Sequence, residues 1–216
     1  KKFDKIFRAK AKEYSDLARK SVLNQSAVQA KNTNGLTQAY ATLARFDISS
    51  ASEKDKIAYY KNKLMLAEKL AKYSDAKMAV NELLQMKSLS TQDRQYVLSR
   101  QAWLAELALD FGTAYKVTEK LKLPELKPEQ KVLKLALFAE LAGVDSSKYY
   151  SKYLRLSKDP DQRQAIAEKL VENSKSPLKS LKKFRREFKA PETYARLYLK
   201  HIDQDILKKG KVSKAY

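Results

Sequence analysis

The 216-residue sequence contains no cysteine, one histidine, one tryptophan, four glycines and five prolines, and each shortage excludes something. Without cysteine there is neither a disulfide framework nor a thiolate metal site. His201 is the only imidazole, which argues against zinc, since that ion takes several His or Cys ligands. No run of about 18 apolar residues offers a membrane span. There is no glycine-rich loop with the spacing that cradles phosphates or a dinucleotide. Few glycines and prolines also mean few natural helix breaks, and Ala, Leu, Lys, Glu and Gln are abundant, so the composition favours helix throughout. A cysteine-free chain suits a cytoplasmic and a periplasmic or exported protein equally. The start at Lys1 instead of Met fits a fragment or a processed chain.

What the chain has in excess is positive charge. The net value is +20 at pH 7, and it is unevenly spread. Residues 151–216 hold 18 Lys and Arg against eight Asp and Glu, whereas residues 101–150 hold seven of each. A surplus of this size attracts an acidic partner, whether nucleic acid, an anionic membrane or an acidic protein face, and says nothing about fold.

The chain also repeats itself. The stretch 66–83, LAEKLAKYSDAKMAVNEL, returns at 104–121 as LAELALDFGTAYKVTEKL. Ala67 falls on Ala105, Glu68 on Glu106, Tyr73 on Phe111, Ala76 on Ala114 and Leu83 on Leu121. A weaker copy upstream places Ala30, Leu36, Ala39 and Phe46 at the corresponding positions, and another opens at Ala139-Glu140-Leu141. Spacings of this size mark stacks of helix pairs, because one amphipathic pair cannot cover its own apolar face and needs a neighbour. The recurring alanines, Ala67, Ala76, Ala105, Ala114, Ala139 and Ala142, are expected at close helix crossings. Leu36, Tyr73 and Phe111 are expected to wedge into the joint within each pair.

Periodicity and punctuation predict helices from end to end. Apolar residues from Phe3 to Val22 fall at steps of three and four, the stripe of an amphipathic helix reaching about residue 30, as one helix or two. Asn32-Thr33-Asn34-Gly35 reads as a turn whose Asn and Gly tolerate positive φ. Ser49, Ser50 and Ser52 are N-cap candidates before Glu53, Ser50 with Glu53 having capping-box spacing, and Ser90 opens another helix. Asp159-Pro160 and Ser176-Pro177 each set a capping side chain before a proline in the first turn. The expected fold class is all-α. The expected organisation is one domain, 1–208, with pairs at about 20–48, 53–88, 92–123, 129–157 and 160–189, a terminal helix 191–208 and a mobile tail 209–216.

Tyr73-Ser74-Asp75-Ala76 and Phe111-Gly112-Thr113-Ala114, with Leu83 and Leu121 downstream, resemble the aromatic-x-x-Ala that opens the second helix of tetratricopeptide repeats. The resemblance covers about 30–156, with further hairpins to 188. Two departures stand out. Where that family places a glycine before the corner, this chain has Ala71-Lys72 and Leu109-Asp110, and where the family has a tyrosine one turn earlier, it has Ala67 and Ala105. The resemblance implies a right-handed α-solenoid of antiparallel helical hairpins. In that register the first helices line a concave groove and present Lys61, Met65, Arg100, Trp103 and Lys134, a lining suited to an acidic or apolar peptide, with Trp103 equally suited to the core.

The residues themselves point to binding and not to catalysis. His201 sits in a helix beside Lys200 and Ile202, with no serine near it in sequence, and reads as a capping or surface histidine. Glu68, Glu106 and Glu140 recur once per repeat, and residues that recur per layer serve the layer, by pairing with Lys or Arg of the next helix or by facing water. No catalytic residue, metal site or cofactor is expected. Residues 178–189, LKSLKKFRREFK, read as a basic helix with Leu181, Phe184 and Phe188 inward and Lys179, Lys182, Lys183, Arg185, Arg186 and Lys189 outward, able to lie along phosphates or on an anionic bilayer. The tyrosines Tyr59, Tyr60, Tyr149, Tyr150, Tyr153, Tyr194 and Tyr198 suit either binding hot spots or helix joints. The expected function is a protein- or peptide-binding scaffold, with phosphate-mediated nucleic-acid binding as the alternative.

Overall fold

The computed structural model describes residues 2–122 and 126–209. Residues 210–216 of the expected tail lie outside the described residues. Every regular element among the described residues is helical, so the all-α reading holds. Eleven α-helices follow one another: α1 (Lys2–Gln29), α2 (Leu36–Leu43), α3 (Glu53–Lys69), α4 (Tyr73–Gln85), α5 (Thr91–Leu107), α6 (Phe111–Lys120), α7 (Pro128–Leu141), α8 (Ser147–Leu156), α9 (Pro160–Glu172), α10 (Pro177–Lys183) and α11 (Pro191–Lys209). They form two compact units divided between Lys122 and Leu123.

In the N-terminal unit each helix from α1 to α6 packs on its neighbour in the chain. One apolar centre is made by Leu64 and Ala67 of α3, Ala76, Ala79, Val80 and Leu83 of α4, and Val97 and Leu104 of α5. Of the corner alanines, Ala67, Ala76 and Ala114 are fully buried and Ala105 nearly so, whereas Ala142 is only half-buried. In the C-terminal unit α7 to α11 pack successively, with Ala136 and Ala139 fully buried and a second apolar centre at Val171, Leu181 and Leu197. Tyr149, Tyr150 and Tyr153 of α8 are buried.

The corners explain the missing glycines. After α3 the chain closes with Lys72 N donating to Ala67 O (2.7 Å) and Ala71 N to Glu68 O (3.1 Å). After α5 the same pair of bonds runs from Asp110 N to Ala105 O and from Leu109 N to Glu106 O, and after α7 from Val144 N to Ala139 O and from Gly143 N to Glu140 O. This is the Schellman closure, which needs its central residue in the left-handed region. Gly143 takes that conformation at φ 68°, but Ala71 (φ 54°) and Leu109 (φ 56°) take it with a Cβ. Such a conformation costs about 1–2 kcal/mol for a non-glycine residue. Ala71→Gly and Leu109→Gly are therefore expected to stabilise the protein by up to about 1 kcal/mol each. Leu109 is 73% exposed and gives up little packing. Urea denaturation checks this, and a loss of stability in both variants would contradict it.

Several local expectations change. The turn after α1 is a short 3-10 segment, and Gly35 has φ −91°, so it is not a positive-φ glycine. It is required by space, since a Cβ there would lie 2.3 Å from Gln29 O. Ser52, not Ser50, caps α3 by accepting from Asp55 N (3.2 Å). Ser50 instead takes a hydrogen bond from the buried Arg19 and donates one to Asp47. Ser90 and Asp159 cap α5 and α9 as anticipated, but Ser176 makes no cap bond to α10. Tyr73 does not wedge into a joint: it is 46% exposed and meets the edge of Trp103 on α5.

A pair of side chains that no periodicity announces ties consecutive helix pairs together. Arg94, in the first turn of α5, donates to Leu84 O and Met86 O (both 3.0 Å) at the end of α4. Arg163, in the first turn of α9, donates to Leu154 O and to Ser157 O (2.8 Å) at the end of α8. These carbonyls have no partner within their own helix, and a cation at that end also meets the negative pole of the helix dipole. The next residue reaches the other way. Gln95 Oε1 accepts from Lys122 N, and Gln164 Oε1 from Lys189 N, each closing the end of its own pair.

Candidate interaction surface

On α3, Lys61, Met65 and Glu68 are spaced i, i+4, i+7. On α5, Tyr96, Arg100 and Trp103 have the same spacing, so each set forms a row on one helical face. The two rows are cross-linked. Lys61 Nζ lies 2.5 Å from Asp93 Oδ1, and Arg100 Nε donates to Glu68 Oε1 at 2.7 Å. The Arg100 guanidinium also lies over the Trp103 ring, 4.4 Å from its centroid, and Tyr73 meets that ring edge-on at 5.9 Å. Tyr96 stands among Lys61, Glu68 and Arg100. Its burial, with the Glu68 charge adding to it, raises the phenol's pKa against the lowering effect of Arg100 and Lys61.

Of the expected groove residues, Lys61, Arg100 and Trp103 are thus brought together. Met65 leans into the apolar cluster of Ala39, Leu43 and Leu66. Lys134 belongs to the C-terminal unit, on α7, with its ammonium 5.1 Å from the Phe138 ring centroid. Tyr96, 44% exposed, and Tyr73 join the face although sequence reasoning did not place them there. The i, i+4, i+7 spacing of Tyr96, Arg100 and Trp103 was the signal that would have found the first. The face is not a plain cationic lining: Lys61 and Arg100 are each paired with a carboxylate.

Glu68 and Glu140 join neighbouring helices. Glu68 pairs with Arg100, and Glu140 accepts from Lys169 (2.7 Å) and from the buried Tyr150 hydroxyl. Further rungs join α9 to α11, from Arg196 to Glu168 and from Lys200 to Glu172. The carboxylates record it. Burial pushes Glu140 up, but Lys169 and Tyr150 outweigh that and leave its pKa below the ordinary value, while the Lys200 hydrogen bond depresses Glu172.

All six cations of the expected basic strip, Lys179, Lys182, Lys183, Arg185, Arg186 and Lys189, are exposed. The helix carrying them is shorter than expected. It ends at Lys183 and passes into a 3-10 turn, Arg185–Glu187. The cause is Arg163, whose Nε and Nη2 hold both oxygens of Glu187 at 2.8 and 2.7 Å and draw the chain onto α9. Pro191 then disfavours helix at the residue before it. Phe184 and Phe188 still pack inward against Val171, Leu181 and Leu197. Lys189 is engaged with Asp161 at 3.3 Å.

His201 is buried and not at the surface. Its Nδ1 lies 3.3 Å from Gln204 Oε1 and its Nε2 has no partner. Among the described residues no three His, Asp or Glu side chains converge as a metal site, and no helix is long and apolar enough to cross a membrane. No family model matches the chain, and no curated protein or solved structure matches it either.

Proposed function

We propose that this chain is a non-enzymatic scaffold, a divergent tetratricopeptide-like stack of helical hairpins, that binds a protein or peptide on the α3/α5 face. The observation that carries the reading is the row Tyr96, Arg100 and Trp103, with Tyr73 beside it. Tyr, Trp and Arg are the residues that dominate binding energy at interfaces, and here Tyr73 and Tyr96 are exposed while Arg100 and Trp103 are half-buried, Trp103 with its body against the core. Rigid presentation lowers the entropy lost on association. An acidic group on the ligand exchanges with Glu68 or Asp93 for the cations they hold, while an apolar group rests on Trp103. The matching corners after α3, α5 and α7 support the repeat reading.

A second reading has its own observation. The sequences of α8 and α10 contain no Asp or Glu, and Lys152, Arg155, Lys179, Lys183, Arg185 and Arg186 are exposed there and in the adjoining 3-10 turn. Such a surface suits phosphates of a nucleic acid. Fluorescence polarisation separates the two. Labelled acidic peptides carrying aromatic residues, a random duplex and a single strand are titrated across a salt series. The parent is compared with Tyr96→Ala/Arg100→Ala and with Lys182→Ala/Lys183→Ala/Arg185→Ala/Arg186→Ala. The scaffold reading expects peptide binding with modest salt dependence, weakened about 30-fold or more by the first variant. The nucleic-acid reading expects log-linear salt dependence flattened by the second. No binding to either probe at low salt would remove both.

A further inference from the structure

The apolar stripe that the sequence lays along α1 is not covered by the rest of the protein. Helix α1 joins its unit through Arg19, Leu23 and Ser26: Arg19 binds Ser50, Leu23 packs on the Ala39, Leu43 and Leu66 cluster, and Ser26 Oγ donates to Ala39 O at 2.9 Å. At 100° per residue these three lie on one side of the helix, and Ile6, Phe7, Tyr14 and Leu17 lie on the opposite side. They are 50, 75, 68 and 55% exposed. Residues 5–14 are exposed without exception, so Ile6, Phe7 and Tyr14 stand largely in solvent.

We propose that the N-terminal half of α1 is an in-plane anchor for an anionic lipid bilayer. Three features choose that occupant. Residues 1–20 hold eight Lys and Arg against three Asp and Glu, and Lys5, Arg8 and Lys12 lie on the face away from the stripe. An apolar face backed by a cationic one is the pattern of helices lying at the headgroup boundary of anionic membranes. Lys10 sits within the apolar face, between Ile6 and Phe7 on one side and Tyr14 on the other. A lysine there can lay its stem along the apolar surface and raise its ammonium to the phosphates, whereas a dry protein interface would have to supply it a buried acid. A second copy of the chain would bring like charges together along the whole helix. Against a nucleic acid, Ile6, Phe7 and Leu17 would have nothing to bury.

The site shares no residue with the α3/α5 face or with the basic strip, and the test distinguishes them. Co-sedimentation of the full chain is measured with phosphatidylcholine vesicles, with and without about one third phosphatidylglycerol. The expected result is binding to the anionic vesicles alone, reduced about 30-fold or more at constant salt by Ile6→Gln/Phe7→Gln/Leu17→Gln. That loss persists when Lys182, Lys183, Arg185 and Arg186 are already alanine. Because all three substituted residues are exposed, the variant keeps its helical circular dichroism. The proposal is overturned if the parent does not sediment with anionic vesicles. It is also overturned if the glutamine variant binds them equally well, which would make the attraction purely electrostatic. A concentration-dependent dimer in ultracentrifugation, abolished by the same substitutions in a protein that ignores vesicles, overturns it in favour of a second copy.

Discussion

Arg163→Ala is expected to lower the unfolding free energy by about 2–4 kcal/mol, the largest loss of any single charged side chain described above. Four hydrogen bonds disappear together: two to the carbonyl oxygens of Leu154 and Ser157, and two to Glu187. The groups left behind set the size of the effect. Glu187 has a side chain only 18% exposed, and without its partner it retains a charge that water reaches poorly. The carbonyls at the end of α8 lose their cation as well. Arg163→Lys keeps the charge but cannot span carbonyl and carboxylate at once, and it is expected to restore less than half of the loss. Arg185→Ala removes a neighbouring exposed cation and is expected to change stability by less than about 0.5 kcal/mol. Urea denaturation followed at 222 nm provides the comparison. Parent-like stability of Arg163→Ala would mean that the clasp contributes nothing.

The second large effect is expected on acidification. Asp93 is depressed by hydrogen bonds from Lys61 and Ser90, Glu172 by Lys200, and Glu53 by the backbone N–H of Ser88. Asp110 and Asp145 are depressed by the N–H groups of Thr113 and Ser147. For each, the folded pKa lies below the unfolded one. The stabilisation is therefore present above the ordinary values of 4.5 for Glu and 3.8 for Asp, and it is lost as pH falls through the folded values. Each proton taken up also adds to a net charge that begins at +20. Melting temperature is expected to stay level from about pH 7 to pH 5.5, to fall below about pH 4.5, and to lose its cooperative transition near about pH 3 at low salt. Added salt should move the collapse to lower pH by screening the repulsion. Thermal melts at 222 nm across a pH series check it, and a level profile down to pH 3 would show that the rungs are not holding the helices together.

Both predictions rest on side chains whose roles the sequence hid, and the reason is physical. Helices are legible because packing imposes a 3.6-residue period, and Ser90 and Asp159 are legible because a cap acts within three residues. The recurring alanines mark the crossings for the same reason. Arg163 meets Glu187 24 residues downstream and meets carbonyl oxygens that every residue possesses, so nothing in the local pattern separates it from a solvated surface charge. The missing glycines at Ala71 and Leu109 reverse the usual inference. The corner geometry is kept while the residue that ordinarily announces it is not. Periodicity in α1 showed an apolar stripe but carried no information about what covers it. In the candidate face, Lys61, Arg100 and Trp103 were legible as residues of one side of α3 and α5. Their pairing with Asp93 and Glu68 was not, because it depends on the lateral spacing of two helices.

The reach of Arg94 and Arg163 across to the preceding helix pair also decides where the chain can be divided. A cut made at the obvious boundary, just after α4, separates the end of that helix from the guanidinium that closes it. A segment running instead from α4 through α5 carries both halves of the seam, Leu84 and Met86 together with Arg94. The module that could be grafted or duplicated with its helix ends satisfied is therefore out of phase with the repeat visible in the sequence, by one helix.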